Sequence, residues 1–151
     1  MEQTPIISVI MPTYNTPVEM LSKAVDSVLG QTYRDFEFII IDDYSTDASV
    51  EYLASLQDER VKVIRNPQNL GITKSLNVAL SHAKGRYIAR MDSDDICLPK
   101  RLEKQLAFME SHPEVIVCGT WIETFGDTSY VMKRVIPEQE YLRCSFLRAD
   151  G

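Results

Sequence analysis

The sequence contains neither of the glycine-rich motifs that hold phosphate groups in common nucleotide-binding domains. No G-x-G-x-x-G follows the first apolar run, and no G-x-x-x-x-G-K-[ST] occurs anywhere in the chain. A Rossmann fingerprint and a P-loop are therefore both absent. A diphosphate would have to be held through a metal ion, through cations such as Lys74 or Arg101, or through both. For Arg101 we favour a solvated position on a helix.

Basic residues are also fewer than acidic residues in this sequence. Lys and Arg number 16 against 22 Asp and Glu, which leaves a formal net charge of −6. No run of basic residues forms a stripe along which successive phosphates of a nucleic acid could be neutralised. We therefore expect no nucleic acid partner, although an acidic chain can bind a diphosphate when a bound cation supplies positive charge locally.

Cysteine is rare, and long apolar runs are missing. Cys97, Cys118 and Cys144 are odd in number and lack C-x-x-C spacing, which argues against a disulfide framework and against a zinc knuckle. The apolar stretch at 6–11 is too short to cross a bilayer and lacks the basic flank of a signal peptide. These features favour a reducing, cytoplasmic setting.

What the sequence does contain is an alternation of strand and helix patterns. Apolar, β-branched runs alternate with segments whose apolar residues recur at helical spacing. The predicted strands are 6–11, which stops at Pro12, then 36–41, 61–64 and 87–91, and the predicted helices are 21–29, 47–56, 72–83 and one after Pro99. This alternation predicts an α/β fold with a mostly parallel sheet flanked by helices.

The rest of the chain is less regular. We predict a strand at 115–118, a β-ribbon within 122–135 and a helix at 138–147. Hydrophobic residues make up 44% of the chain and charged residues 25%, a balance that supports one packed core. We therefore expect residues 1–151 to form a single domain, truncated at its carboxy-terminal end.

Polar residues follow the predicted strands at the point where each strand ends. They lie at 12–15, at 42–43, at Asn66 and at 92–95. Because the carboxyl ends of parallel strands share one edge of the sheet, these segments should converge there, and this edge is where open α/β sheets bind ligands.

The segment at 92–95 holds three aspartates that should repel one another and raise their pKa values unless a cation or hydrogen-bond donors compensate. Mg²⁺ and Mn²⁺ prefer oxygen ligands and are often held by one or two carboxylates together with substrate phosphates. The alternative is that these aspartates cap a helix and fill a turn. The same alternative applies to Asp42 and Asp43, because the residues at 45–47 have capping chemistry.

Taken together, these motifs resemble glycosyltransferase family 2. The matching segments run in order from 8–15 through 31–33, 36–43, 45–47 and 69–71 to 85–95. The resemblance implies a GT-A fold, a nucleotide-sugar donor such as a UDP-sugar, a divalent cation (Mn²⁺ or Mg²⁺), and usually an inverting transfer. It also implies a carbohydrate or lipid-linked acceptor, polysaccharide biosynthesis, and peripheral association with the inner face of the membrane.

The resemblance further implies roles for particular residues. The implied nucleotide-sugar-binding residues are Pro12 and Tyr14 beside the base, Asn15, Asp43 in contact with the base, Lys74 at the nucleotide, and Asp92 and Ser93. Asp94 is the implied metal ligand, with Asp92 at the metal or the ribose.

The sequence departs from the family pattern at three points. Tyr44 replaces the small residue that often follows the acidic pair, and Met91 stands where Leu is frequent. The family's catalytic base is an Asp or Glu from a later segment that nothing before Gly151 matches. We therefore expect the base to lie beyond Gly151, and the isolated chain to bind donor and metal but to transfer sugar poorly.

Two other functions remain open at this point. A sugar nucleotidyltransferase should carry a Gly-rich, basic loop after the first strand, but the loop at 13–17 contains neither Gly nor Arg. A non-catalytic nucleotide-binding or interaction domain would keep the fold without turnover. Metal-dependent binding of a nucleotide-sugar would argue against this second alternative.

Overall fold

The computed structural model of the chain describes residues 4–124, 130–132 and 146–148. Its strands are β1 (Ile7–Thr13), β2 (Phe36–Asp42), β3 (Val61–Arg65), β4 (Tyr87–Arg90), β5 (Ile122–Thr124), β6 (Tyr130–Met132) and β7 (Phe146–Arg148). Its helices are α1 (Val18–Leu29), α2 (Ser49–Ala54), α3 (Ile72–His82) and α4 (Arg101–Ser111).

The main sheet has the strand order β3-β2-β1-β4-β7, in which β1 to β4 are parallel and β7 is antiparallel to β4. Helices cover both faces. Ile7, Val9 and Met11 of β1 belong to an apolar cluster shared with α1, α2 and α4 on one face, whereas Ile10 belongs to a second cluster with Ala79 of α3 on the other face. The predicted mostly parallel sheet flanked by helices is confirmed.

Pro12 does not end the first strand, contrary to the prediction. Even-numbered residues of β1 direct their backbone groups toward β4, since the carbonyl of Ile10 accepts a hydrogen bond from the N–H of Met91 at 3.0 Å. Pro12 is the next residue on that side, and β4 has already ended at Arg90. Proline is tolerated here because its missing N–H takes no bond away from the sheet.

Helix α2 is shorter than the predicted 47–56. Asp47 lies outside it, and its carboxylate accepts a hydrogen bond from the N–H of Ser49 at 3.2 Å. Side chains of this kind offer the backbone an alternative to the helical pattern, which explains the later start. At the other end, the N–H of Ser55 bonds to carbonyls inside the helix and closes it.

The strand predicted at 115–118 is wrong. Within this segment only Val117 forms a single bridge. At the end of the segment, the carbonyl of Cys118 accepts a hydrogen bond from the side chain of Gln105 in α4, at 3.3 Å.

The predicted β-ribbon is present as the antiparallel pair of β5 and β6. The helix predicted at 138–147 is wrong at its end, because Phe146 and Leu147 pair with β4 as part of β7. Its remaining residues lie outside the described part of the chain. The expectation of one domain over residues 1–151 stays a prediction.

Candidate functional site

The order of the strands reverses at one point of the sheet. From β1 the chain moves outward to β2 and β3, and then returns to place β4 on the other side of β1. In open α/β sheets, ligands bind outside the carboxyl ends of the strands where the order reverses in this way. The segments that follow β1 and β4 therefore border the candidate site.

The loop after β1 joins the loops after β2 and β4. The N–H of Asn15 donates to the hydroxyl of Ser45 at 3.0 Å, and the side-chain oxygen of Asn15 accepts from the N–H of Thr46 at 2.8 Å. On the other side, the hydroxyls of Thr16 and Ser93 are hydrogen-bonded at 2.8 Å. The expected convergence of these segments is thus observed, and Asn15 and Ser93 lie at its two junctions.

Tyr14 and Pro12 also lie on this edge. Pro12 is the penultimate residue of β1, and Tyr14 follows that strand with 50% of its surface exposed. An exposed aromatic ring beside a crevice offers an apolar face on which a planar ligand can stack. Both residues lie at the carboxyl end of β1, and their contact with a base remains a prediction.

Tyr44 adopts an unusual backbone conformation beside the same junction. Its φ of 70° lies in the left-handed region, which bulky residues rarely occupy. The guanidinium of Arg65 lies 5.2 Å from the centre of its ring, and Arg65 in turn donates to the carboxylate of Asp42 and to the carbonyl of Ser45. These contacts hold in place a residue that the backbone alone disfavours.

Asp43 is almost fully enclosed by hydrogen-bond donors. It is 4% exposed, and its carboxylate accepts from the side chain of Asn66 and from the N–H groups of Leu70 and Gly71, each at 2.8 Å. Burial by itself raises the pKa of Asp43, but the hydrogen bonds from Leu70, Asn66, Gly71 and Ser75 outweigh burial and leave the pKa below its ordinary value. Asp43 is therefore an ionised, internally bonded carboxylate at neutral pH.

Lys74 lies in the first turn of α3 and is exposed. Among the described residues, the structure gives its ammonium no hydrogen-bond or ion-pair partner. The helix begins directly after the segment whose N–H groups bond to Asp43. Lys74 is thus an exposed cation in the first turn of the helix that follows the donors of Asp43.

The acidic loop at 92–95 is open to solvent at its centre. Asp94 and Asp95 are exposed, whereas Asp92 forms an ion pair with Arg90 at 2.9 Å. Burial is the main cause that raises the pKa of Asp95, and the charges of Asp92 and Asp94 raise it further. The repulsion expected from the sequence is therefore present at Asp95 as the smaller of the two causes.

The carboxylates of this loop suit a divalent cation such as Mg²⁺ or Mn²⁺ that is coordinated partly by the protein and partly by a substrate. Within the described residues, no group of three His, Cys, Asp or Glu side chains could hold a metal by itself. Mg²⁺ and Mn²⁺ sites that include substrate phosphates need only one or two protein carboxylates, which Asp92 and Asp94 can provide. The ion pair of Asp92 is no obstacle, because exposed pairs of this kind contribute only about 0–1 kcal/mol.

The model for the family described as Glycosyl transferase family 2 matches residues 8–149. The chain belongs to this family. The glycosyltransferase relatives of this family 2 chain include EpsE of Bacillus subtilis, which is 42% identical over 141 residues, or 91% of this chain and 50% of that protein. A second relative, from Escherichia coli, is named as the UDP-Glc:alpha-D-GlcNAc-diphosphoundecaprenol beta-1,3-glucosyltransferase WfgD and is 35% identical over 134 residues, 89% of this chain and 52% of that protein.

The fold of this chain is similar to that of solved structures of other glycosyltransferases. Staphylococcus aureus TarS, residues 1–349 in complex with UDP-GlcNAc, has a TM-score of 0.66 and 32% identity, over 71% of this chain and 32% of that chain. A mannosyltransferase of Pyrobaculum calidifontis in complex with GDP-Man and Mn²⁺ has a TM-score of 0.65 and 25% identity, over 79% of this chain and 36% of that chain. The GT-A fold is therefore confirmed.

This family 2 chain spans about half the length of the curated relatives that it matches. In its described residues, no helix combines the length and apolar character needed to cross a membrane. In the described part of the chain, Cys97 and Cys118 are buried and no disulfide joins them.

Arg101 differs from its predicted solvated position. Its guanidinium donates to the carbonyl of Arg90 at 2.8 Å and to the side chain of Gln105 at 3.1 Å, which ties the start of α4 to the end of β4. Arg101 is thus a structural residue beside the acidic loop.

Thr16, Ser45, Arg65 and Ser75 are residues of this edge for which the sequence predicts no place in the site. Ser45 belongs to the run at 45–47, whose capping chemistry was the one available signal. The bonds of the other three join residues far apart in sequence. No local pattern reveals such pairs.

Proposed function

We propose that this chain binds the nucleotide-sugar donor, with UDP-sugars as the first candidates, of a metal-dependent, inverting glycosyl transfer. The observation that carries the proposal is the hydrogen-bonded junction of the loops after β1, β2 and β4 at the point where strand order reverses. Complexes of TarS with UDP-GlcNAc and of the Pyrobaculum mannosyltransferase with GDP-Man and Mn²⁺ support it.

The donor would lie across this junction. Pro12, Tyr14 and Asn15 border the side of the base, Ser93 borders the opposite side, and Lys74 supplies a cation for the nucleotide. Asp94 and Asp92 would hold Mn²⁺ or Mg²⁺. When bound, such a cation neutralises the charge that develops on a leaving diphosphate.

The acceptor hydroxyl needs a base that removes its proton as the oxygen attacks the anomeric carbon from the side opposite the diphosphate. We place this base beyond Gly151, and propose that residues 1–151 bind donor but transfer sugar poorly alone. WfgD, by its name, acts on a diphosphoundecaprenol-linked acceptor, which supports a carbohydrate or lipid-linked acceptor and a cytoplasmic location at the inner membrane face.

Calorimetric titration tests this proposal directly. The purified chain is titrated with UDP-sugars and GDP-sugars, with and without Mn²⁺, and we expect at least one to bind in a metal-dependent manner. Asp94→Ala should reduce the metal-dependent affinity at least tenfold. A control substitution, Asp35→Ala, removes an exposed carboxylate just before β2, at the opposite edge of the sheet, and should leave affinity unchanged.

Two results would contradict the proposal. If no nucleotide binds with Mn²⁺, a non-catalytic interaction domain becomes the better interpretation. If Asp94→Ala lowers stability by ~1 kcal/mol and spares binding, the loop only caps and turns the chain.

A further inference from the structure

The side chain of Gln31 is a buried amide that is hydrogen-bonded at both ends. It lies just after α1 and is 0% exposed. Its Nε2 donates to the carbonyls of Ser27 at 3.0 Å and of Leu98 at 2.8 Å, and its Oε1 accepts from the N–H of Leu102 at 3.0 Å. These partners fix the orientation of the amide, because a flipped amide would present the wrong group to each of them. Gln31 therefore joins the end of α1 to the segment before α4 and to the first turn of that helix.

The segment between the acidic loop and α4 is bonded to the end of α1 at three consecutive residues. The N–H of Cys97 donates to the hydroxyl of Ser27 at 3.1 Å. The carbonyl of Pro99 accepts from the N–H of Thr32 at 2.8 Å. The residue between them is the one whose carbonyl accepts from Gln31. The backbone that leaves the acidic loop is thus held in one place by α1.

The acidic loop is also held on its other side. The hydroxyl of Ser93 is hydrogen-bonded to that of Thr16 at 2.8 Å. Asp94 is the next residue, and Cys97 follows three residues later. Each residue extends the chain by at most about 3.6 Å, so the short stretch between the two anchors has little freedom. The position of Asp94 therefore depends on the bonds that hold the far end of this stretch.

A polar side chain at Gln31 has a cost that an apolar one would avoid. The residue lies beside Val28 and Leu102, which belong to the larger apolar cluster of the core. Burying an amide is unfavourable unless it is hydrogen-bonded, whereas a fully bonded amide fixes its surroundings in one arrangement. What Gln31 contributes beyond packing is thus a defined position for the backbone at the exit of the acidic loop.

We propose that Gln31 is a positioning residue for the metal site: its amide fixes the exit of the acidic loop and thereby places the carboxylate of Asp94 for the cation of a bound nucleotide. This inference rests on the proposed donor-binding function. Because Gln31 is fully buried, it acts through the backbone and does not touch the nucleotide. It therefore affects the part of the nucleotide affinity that depends on the metal.

Gln31→Met tests this role. Methionine is similar in length and fills the same space, but it cannot make the three hydrogen bonds. Dissociation constants for UDP and GDP are measured by calorimetry, with Mn²⁺ and with EDTA. Residues that hold metal ligands in place typically contribute about 10–100-fold to metal affinity. We expect the gain in affinity from Mn²⁺ to fall by about tenfold, at the lower end of this range, and the affinity in EDTA to change less than twofold.

A double-mutant cycle with Asp94→Ala shows whether the effect passes through Asp94. The affinities in Mn²⁺ are measured for the wild type, for each single variant and for the double variant. If Gln31 acts by placing Asp94, Gln31→Met should have less than a twofold effect once Asp94 is replaced. A full tenfold effect in the Asp94→Ala background would overturn the inference.

Ser8→Ala is the matched structural control. Ser8 is also 0% exposed, and its hydroxyl bonds to Glu37 and to the N–H of Gly85 at the amino-terminal edge of the sheet. This variant should lower the free energy of unfolding and leave the gain in affinity from Mn²⁺ unchanged. An equal loss of that gain in Ser8→Ala would show that instability alone causes it, and the positioning role would be refuted.

Ser27→Ala provides a second variant in case Gln31→Met does not fold. It removes only the hydroxyl that accepts from Cys97, and should reduce the gain from Mn²⁺ by about threefold, since the other bonds of this segment remain. An unchanged gain in folded Gln31→Met, or in Ser27→Ala where Gln31→Met does not fold, would contradict the inference. Wild-type protein that binds neither nucleotide in Mn²⁺ would refute the proposed function itself, which separates that failure from the failure of the Gln31 role.

Discussion

Gly85→Ala tests whether the amino-terminal edge of the sheet is packed as tightly as the structure indicates. A Cβ at Gly85 would lie 2.5 Å from the backbone nitrogen of Ser8 and 2.7 Å from the carbonyl carbon of Ile7. Carbon contacts are favourable at about 3.5–4.0 Å, so the overlap is roughly 1 Å. Both contacted atoms belong to β1, which is paired on both sides and has little freedom to move.

The same substitution also disturbs a hydrogen-bond network. The N–H of Gly85 donates to the hydroxyl of Ser8 at 2.8 Å, and this hydroxyl donates to Glu37 at 2.6 Å. Overpacking costs about 1–3 kcal/mol, and each lost hydrogen bond about 0.5–1.5 kcal/mol. We therefore expect Gly85→Ala to lower the free energy of unfolding by about 2–4 kcal/mol.

Urea denaturation followed by circular dichroism measures this loss. In a thermal scan, Gly85→Ala should lower Tm by roughly 5–15 °C, since a loss of 1 kcal/mol shifts Tm by about 2–4 °C at this chain length. Arg86→Ala is the neighbouring control, because it removes an exposed ion pair with Glu110 and should cost no more than about 1 kcal/mol. A loss below about 1 kcal/mol in Gly85→Ala would show that β1 yields and would refute the steric argument.

Two further predictions concern pH and backbone strain. The side-chain hydrogen bond from Arg60 holds the pKa of Asp58 at about 2. Because this value lies below the ordinary value of about 3.9, the interaction stabilises the fold above about pH 4 and is lost as the pH falls toward about 2. Asp58→Asn should weaken the acid sensitivity of the free energy of unfolding in that window, and an unchanged urea profile would contradict the assignment. Tyr44→Gly and Tyr44→Ala both remove the stacking with Arg65, but only glycine relieves the φ of 70°, so the Gly variant should be more stable than the Ala variant by about 1 kcal/mol in the same assay.

The candidate site could be predicted in part because its residues follow the ends of strands. The segments at 12–15, 42–43 and 92–95 were recognised as neighbours from spacing alone, and they do lie on one edge of the sheet. What their side chains bond to was not predictable in the same way. Asp92 pairs with Arg90, and Asp43 is enclosed by donors of the loop before α3.

The errors in the predicted fold have a related cause. The segment 115–118 has the apolar, β-branched composition of a strand, but only Val117 forms a bridge, and the carbonyl of Cys118 bonds to the side chain of Gln105 in α4. The apolar pattern of 138–147 predicts a helix, yet Phe146 and Leu147 pair with the side of β4 that faces away from β1. In both cases, contacts that exist only in the folded chain outweigh the local secondary-structure propensity of the segment.

By itself the sequence determined the alternation of strands and helices, the parallel sheet, and the edge at which the acidic residues gather, because these depend on periodicity and on short connections. The tertiary structure decided which of these polar groups bond to other parts of the protein and which stay exposed. Hydrogen bonds such as those of Asp43 with Gly71 and of Thr16 with Ser93 join segments far apart in the chain, and their geometry exists only after the elements have packed.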